Sequence, residues 1–517
     1  MPRSAGTSRS GPSNDDPCRF ARAASEARGA TARSAVSRAR SALARLALAT
    51  LDAYGNRRGP PRPQSPALWG LEVDSDGGLA WGGCRLEQLA RDFGTPLHVV
   101  DATQLERSFR SFRDAFAARY PRVDVAYSYK TNPLPGVLRE LHGFGASAEV
   151  ISHLELWLAL QLGVPAHKIV FNGPAKTPEA LELAVRRGVK LINIDGIEEI
   201  ARIDELASLY GRKQRVGVRI ITSVGWASQF GFRVRGDEAL RAFERIKKCR
   251  HLRPAALHVH LGTSLRTPET HAQASREAIE FAETLRTSLG IVLEHIDLGG
   301  GFGVPTVKAL SQIELRLLGA GYPVRPPTNG FAVAEFAAAI CAAVETYSAR
   351  PEPGRSPELI LEPGRALTSG SQALLLSVLS AKAGDRGVRY AIADGGRNLT
   401  MPLAYEYHEV FVANRMRLDA PTSRQTVFGP LCHPADVVVA GRELPSMEAG
   451  DVLAVMDAGA YFIPNQMTFS HPRPAVVMIT GGTPRLIRER EAFKDVVAHD
   501  VFGSAPTSAL SNVDSRA

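Results

Sequence analysis

The chain alternates between two hydrophobic rhythms. Short β-branched runs, apolar on successive positions, give way to stretches whose apolar residues recur every three to four positions. From about Thr95 the alternation is regular. VDVAYSYK ends at Lys130, KIVFNG at Gly173, LINIDG at Gly196 and RVGVRI at Ile220. AALHVHLG ends at Gly262, HIDLGGGFG at Gly303 and ELILEPGR at Arg365. PEALELAVRRG and IEEIARIDELASLYG lie between them with helical periodicity. Ser152 and Glu155, three apart before LWLALQLG, have the spacing of a capping box. Strand-then-helix repetition implies a parallel sheet. About eight such units in roughly 270 residues predict a TIM (β/α)₈ barrel over 96–367. The span from about Val304 to Pro357 is longer than one unit and predicts an insertion plus one helix, near Phe331 to Val344.

Beyond Arg365 the helical rhythm fades. QALLLSVLSAKA, VRYAIADGG, YHEVFVA, DVVVAG, DVLAVMD and AVVMITG are short and separated by turn residues. They predict an all-β domain, Greek-key barrel-like, over 368–500. LWGLEVDSDGGLAWGG reads as a hairpin in 66–95 that joins and completes this domain.

Composition changes the picture at the ends. Residues 1–63 hold twelve Arg, no Lys and four acids, a balance of +8 out of a net +9. The body is left near neutral, which argues against a nucleic-acid surface. Residues 1–65 are expected to be a disordered basic extension, with an organelle leader or an early start codon as the other readings. Residues 501–517 are expected to be a disordered tail. No apolar run nears the roughly 20 residues that span a bilayer, so no membrane partner is expected. The five cysteines are scattered and form no CxxC pair, which suggests neither a zinc site nor a disulfide framework. A reducing, cytoplasmic setting fits best.

Polar residues gather at the C-terminal ends of the proposed strands, the active-site face of such a barrel. Lys130 ends an apolar strand. A desolvated lysine there offers a free amine for Schiff-base chemistry, whereas a rim lysine would be a solvated charge. Gly299, Gly300, Gly301 and Gly303 follow another strand, where bare backbone can approach a phosphate; a tight turn explains them equally well. Glu362, Gly364 and Arg365 form EPGR. His258 and His260 share a face in HVHLGTS, but no third ligand with suitable spacing is apparent, so no metal is expected. Cys432, His433 and Asp436 in GPLCHPAD, and Asp457 and Tyr461 in DAGAY, fall in the β-domain.

Taken in order, these motifs resemble the fold-type III pyridoxal-phosphate-dependent decarboxylases, the group of diaminopimelate, ornithine and arginine decarboxylases. The resemblance covers about Trp69 to Val496. It implies pyridoxal 5'-phosphate as cofactor and Lys130 as its anchor. It places His260 on the ring face, Thr263 and the Gly299–Gly300–Gly301 loop near the phosphate, and Glu362 at the pyridine nitrogen. Arg365 would face the phosphate or a substrate carboxylate, and Tyr461 the phosphate. Cys432 would come from the second subunit of a homodimer with shared sites. The implied reaction is amino-acid decarboxylation. The substrate amine takes the place of Lys130, carbon dioxide leaves, the protonated ring accepts the electrons, and an acid, Cys432, protonates the α-carbon.

Two positions depart from the diaminopimelate pattern. Cys432–His433–Pro434 stands where CES is usual, and Met401–Pro402–Leu403–Ala404–Tyr405 where RPxLY is usual. An acid and an arginine for the distal end of the substrate are thus missing. The expectation is an amino acid or conjugate with a neutral, acidic or bulky distal group, met by Arg365, Tyr405, His433, Asp436 and Tyr461, with poor use of meso-diaminopimelate. A pyridoxal-phosphate racemase and a catalytically inactive regulatory homologue are the alternative readings.

Overall fold

A computed structural model describes residues 63–501, apart from 227–228, 329, 348–355, 385–386 and 417–420. Both expected disordered segments fall largely outside the described residues.

Eight parallel strands close into a barrel. They are β1 (Val123–Ser128), β2 (Ser147–Val150), β3 (Ile169–Phe171), β4 (Leu191–Ile194), β5 (Gln214–Ile221), β6 (Leu252–His258), β7 (His295–Asp297) and β8 (Glu358–Leu361). Each pairs with the next, and β8 pairs with β1 through Leu359 and Val123. The unit missing from the sequence reading is β2. Its four residues SAEV include Ser and Glu, yet all are buried, so no apolar run marks it. Ser152 caps the next helix, His153–Gln161, by accepting from Glu155 N–H. The Glu155 carboxylate reaches back to Ile151 N–H at 2.8 Å rather than to the cap itself. Between β7 and β8 lie two helices, Gln312–Gly319 and Val333–Val344, where one was expected.

Small and branched residues, among them Ala126, Val170, Leu191, Ala256 and Ile360, fill the barrel floor. Strand side chains alternate, so the residue two places on points the same way. In these strands that residue is Ser128, Asn172, Asn193, His258 or Glu362, all buried. The barrel interior therefore switches from apolar to polar within one layer.

The second domain is a nine-stranded sheet centred on Gln372–Ala383. Leu97–Asp101, which the sequence assigned to the barrel segment, pairs instead with Gln372–Leu375 and Ala475–Ile479 of this sheet. All five of its residues are buried, and burial patterning alone does not say which sheet they join. The hairpin of 66–95 is present as its own three-stranded sheet. It joins the β-domain by packing: Trp69, Leu79 and Trp81 cluster with Val99, Phe411 and Ala454.

The two domains meet beside Lys130. Asn132 donates to Gln372 Oε1 at 2.8 Å, and Tyr461 N–H to Thr131 O at 2.9 Å. Asp457 accepts from Trp69 Nε1, Thr306 Oγ1 and Ser369 Oγ at 2.9 to 3.1 Å, so one buried carboxylate ties the hairpin, the barrel and the β-domain together. No helix among the described residues is long and apolar enough to cross a membrane.

Candidate active site

A cavity of about 360 Å³ opens at the C-terminal mouth of the barrel. Lys130, His260, Thr263, Glu362, Arg365, Tyr405 and Tyr461, all expected from sequence, line it. Glu149, Asn172, Arg219, Trp226, Phe230 and Glu406 line it too and were missed. For Glu149, Asn172, Arg219 and Glu406 the one legible signal was a charged or amide residue in or beside a strand-like run, as in SAEV and YEYHEV; Trp226 and Phe230 lie in a loop and gave none.

Lys130 follows β1 and enters the cavity with its side chain 31% exposed, 3.7 Å from Glu149 Oε2. Burial lowers its pKa, but Glu149, Tyr461 and Glu362 outweigh that and raise it above the usual lysine value. Glu149 is fixed in turn by Ser128 Oγ at 2.6 Å and Asn172 Nδ2 at 3.0 Å. The same Asn172 amide donates to Glu362 Oε1 at 2.6 Å. Asn193 continues the row, donating to Asn172 Oδ1 and to Asp297 Oδ2.

Glu362 and Asp297 are a coupled buried pair. Burial alone would raise both. The His258 imidazole, then Lys130, hold Glu362 below the usual carboxylate range. Asp297 is pushed well above it by burial and by the charge of Glu362. Ionisation is thus favoured at Glu362 over Asp297. Both ring nitrogens of His258 are buried without a hydrogen bond, and Nε2 faces Glu362 Oε2 at 3.5 Å. Burial, then Lys130, keeps His260 neutral. Glu362 supplies the third donor that the sequence reading did not find beside His258 and His260; the three donor atoms lie within 4.8 Å of one another.

The glycines stand one layer behind the wall. A Cβ on Gly299 would fall 2.2 Å from Val259 O, and one on Gly300 2.4 Å from Glu362 O, so the β6, β7 and β8 loops meet only through bare backbone. Gly300 N–H points at His260 Nδ1 at 3.4 Å, and Gly300 O faces His271 Nε2 at 3.1 Å. Gly364 serves close packing: its Cβ would overlap Thr131 Oγ1.

Arg365 pairs with Glu406 at 2.6 Å, lies 5.3 Å from the Tyr461 ring, and leaves Nε and Nη1 without hydrogen bonds. Tyr461 has a left-handed φ of 67°, a strained conformation held by the Thr131 contact.

Two expected substrate-side residues, Asp436 and His433, lie outside the cavity of their own chain, as does Cys432, which was expected from a second subunit. Asp436 is buried, with its carboxylate accepting from the N–H groups of Arg397 at 2.5 Å and Leu431 at 2.8 Å. It is a clamp for its own loop and corrects the substrate-binding expectation, because a buried carboxylate is stable only where donors surround it. His433 is exposed and accepts from Ala435 N–H. Cys432 is exposed, with φ of 54°. Neither lines the cavity of its own chain.

The family model for the pyridoxal-binding domain of pyridoxal-dependent decarboxylases matches residues 102–369. The chain belongs to this family, and it is a pyridoxal-phosphate-dependent amino-acid decarboxylase. It is similar to the diaminopimelate decarboxylase of Methanothermobacter thermautotrophicus, 31% identical across 83% of this chain and 96% of that one. It is also similar to that of Actinosynnema pretiosum subsp. auranticum, 31% identical across 84% and 95%. The crystal structure of the M. jannaschii diaminopimelate decarboxylase with L-lysine superposes with a TM-score of 0.74 at 29% identity, covering 84% of this chain and 98% of that one.

The residues present fit the cofactor. The cavity is of ligand size. An ionised carboxylate, an amine and buried guanidinium nitrogens without partners converge on it. Backbone at Gly262 and Gly173 forms part of its wall.

Proposed function

We propose that this cavity decarboxylates an α-amino acid whose distal end differs from that of meso-diaminopimelate, with each lining residue in a defined role. The observation that carries the reading is the convergence of Lys130, Glu362 and His260 on one cavity at the barrel mouth. Lys130 would anchor the cofactor, Glu362 would hold its ring nitrogen and His260 would lie against its ring. Thr263, Tyr461 and the backbone at Gly262 would take the phosphate, with the Gly299–Gly300–Gly301 loop supporting that wall from behind. When bound, the cofactor supplies an electron sink for the pair left by the departing carboxylate.

An ionised Glu362 would hold a proton on the ring nitrogen of the bound cofactor, and Asp297, whose carboxyl is the harder of the two to ionise, backs Glu362. Lys130 exchanges its proton with the substrate amine, since Glu149 stands ready to compensate the ammonium. The apolar faces of Trp226 and Phe230 limit water at the mouth. Cys432, brought by a second copy of the chain, delivers a proton to the substrate α-carbon. Its exposure, and its absence from the lining of its own cavity, support a homodimer with shared sites. Among described residues the cysteines are free thiols, in keeping with a reducing cytoplasm. Among the described residues, no contact in the site favours the racemase or inactive-homologue readings.

The test is twofold. Borohydride treatment of the holoenzyme followed by peptide mapping should place the pyridoxyl label on Lys130. A panel of amino acids and conjugates assayed for carbon dioxide release should reveal a substrate. A label on another lysine, or no release from any member of the panel, overturns the reading.

A further inference from the structure

The cations that line the cavity are each matched by an acid of the chain. Lys130 has Glu149 at 3.7 Å. Arg219 has Asp195 at 3.5 Å and stacks over Phe230 at 4.1 Å. Arg365 has Glu406 at 2.6 Å, with both side chains 3% exposed. The second oxygen of Glu406 faces His408 Nε2 at 3.3 Å. Arg365 keeps two unbonded guanidinium nitrogens, so by hydrogen bonding alone it is the group best able to receive a carboxylate from the substrate. Its charge, however, is already answered. A carboxylate arriving there would lie beside Glu406, and like charges in a poorly hydrated site repel strongly. Trp226, Phe230 and Tyr405 supply ring faces, which attract cations and tolerate neutral groups.

We propose that Glu406 is the specificity-determining residue of this cavity: by pairing with Arg365 it excludes side chains that end in a carboxylate and admits α-amino acids whose side chains end in an ammonium or an uncharged polar group. This deepens the reading of the cavity as a decarboxylase site and rests on it. It departs from the expectation from sequence, which admitted a neutral, acidic or bulky distal group and counted His433 against an ammonium. Glu406 lines the cavity of its own chain, and His433 does not.

L-Lysine and meso-diaminopimelate differ by one distal carboxylate, so they isolate the effect. Holoenzyme is titrated with each while the visible absorption of the bound cofactor is followed, and kcat/KM is measured in parallel. The wild-type chain should favour L-lysine by about tenfold or more. Glu406→Gln should narrow that preference by about tenfold, through a lower KM for meso-diaminopimelate. Glu406→Asp, which keeps the carboxylate, should retain the wild-type order. A wild-type preference for meso-diaminopimelate, or a ratio unmoved by Glu406→Gln in a variant with a normal melting temperature, overturns the proposal. Should Glu406→Gln fail to fold, the wild-type ratio and the Glu406→Asp variant decide it. Ordered binding without carbon dioxide release would sink the decarboxylation reading and leave the charge selection standing.

Discussion

Lys130 Nζ stands 3.7 Å from Glu149 Oε2, with the lysine open to the cavity and the glutamate 1% exposed. The pairing holds the amine protonated, because the pKa of Lys130 is raised. Only the free amine captures a carbonyl. Removing the acid lowers the lysine pKa and increases the free-amine fraction at any given pH. Glu149→Gln should therefore shift the pH midpoint for covalent capture of pyridoxal phosphate down by roughly one pH unit. Stopped-flow absorbance across pH measures it, and an unchanged profile would break the assigned link.

His271 carries the glycine loop. It stacks on Phe302 at 4.5 Å and faces Gly300 O, and burial lowers its pKa to about 4, so it is a neutral donor. His271→Leu removes that donor and leaves a buried carbonyl unpaired, a loss of about 1–2 kcal/mol. The dissociation constant for pyridoxal phosphate should rise roughly tenfold, while kcat at saturating cofactor falls far less. Equilibrium dialysis of apo protein reads the first effect. A kcat loss without weaker cofactor binding would assign His271 another role.

Cys432 and Lys130 test the shared site. Lys130→Ala and Cys432→Ala should each be inactive. Mixed and exchanged, they should form hybrid dimers with one intact site each, recovering at most about a quarter of wild-type activity. Subunit exchange confirmed by mass spectrometry without recovered activity would place Cys432 outside the partner's chemistry.

Glu358 ties down the start of β8. It pairs with Lys190 Nζ at 2.6 Å and His295 Nδ1 at 2.9 Å. Burial opposes ionisation, but His295 and Lys190 outweigh it and lower the pKa from 4.5 to about 2. A depressed carboxylate stabilises the fold above its unfolded pKa and loses that contribution as pH falls through the folded value. The displacement corresponds to about 3 kcal/mol, lost between roughly pH 5 and pH 2. Glu358→Gln should be less stable than wild type at pH 7 and should lose less stability on acidification to pH 3. Urea midpoints at the two pH values measure it; parallel pH dependences would refute the assignment.

The barrel was legible because its strands announce themselves locally. The run IVF is apolar and buried throughout, and the polar Asn172 marks where it leaves the core. Ser147–Val150 was not legible, since Glu149 breaks its pattern. Its burial is tolerated only because Ser128 and Asn172, distant in sequence, supply the donors.

The sequence by itself determined the parallel barrel, the position of Lys130 after its first strand, and the glycine and EPGR motifs, because strand alternation and backbone sterics are local properties. Tertiary structure alone decided which sheet Leu97–Asp101 joins, and that Asp436 clamps its own loop while Glu406 faces the cavity. Those outcomes depend on which donors and charges the fold brings within about 3 Å, where hydrogen bonds form. A buried carboxylate takes its role from such neighbours and not from its place in the chain.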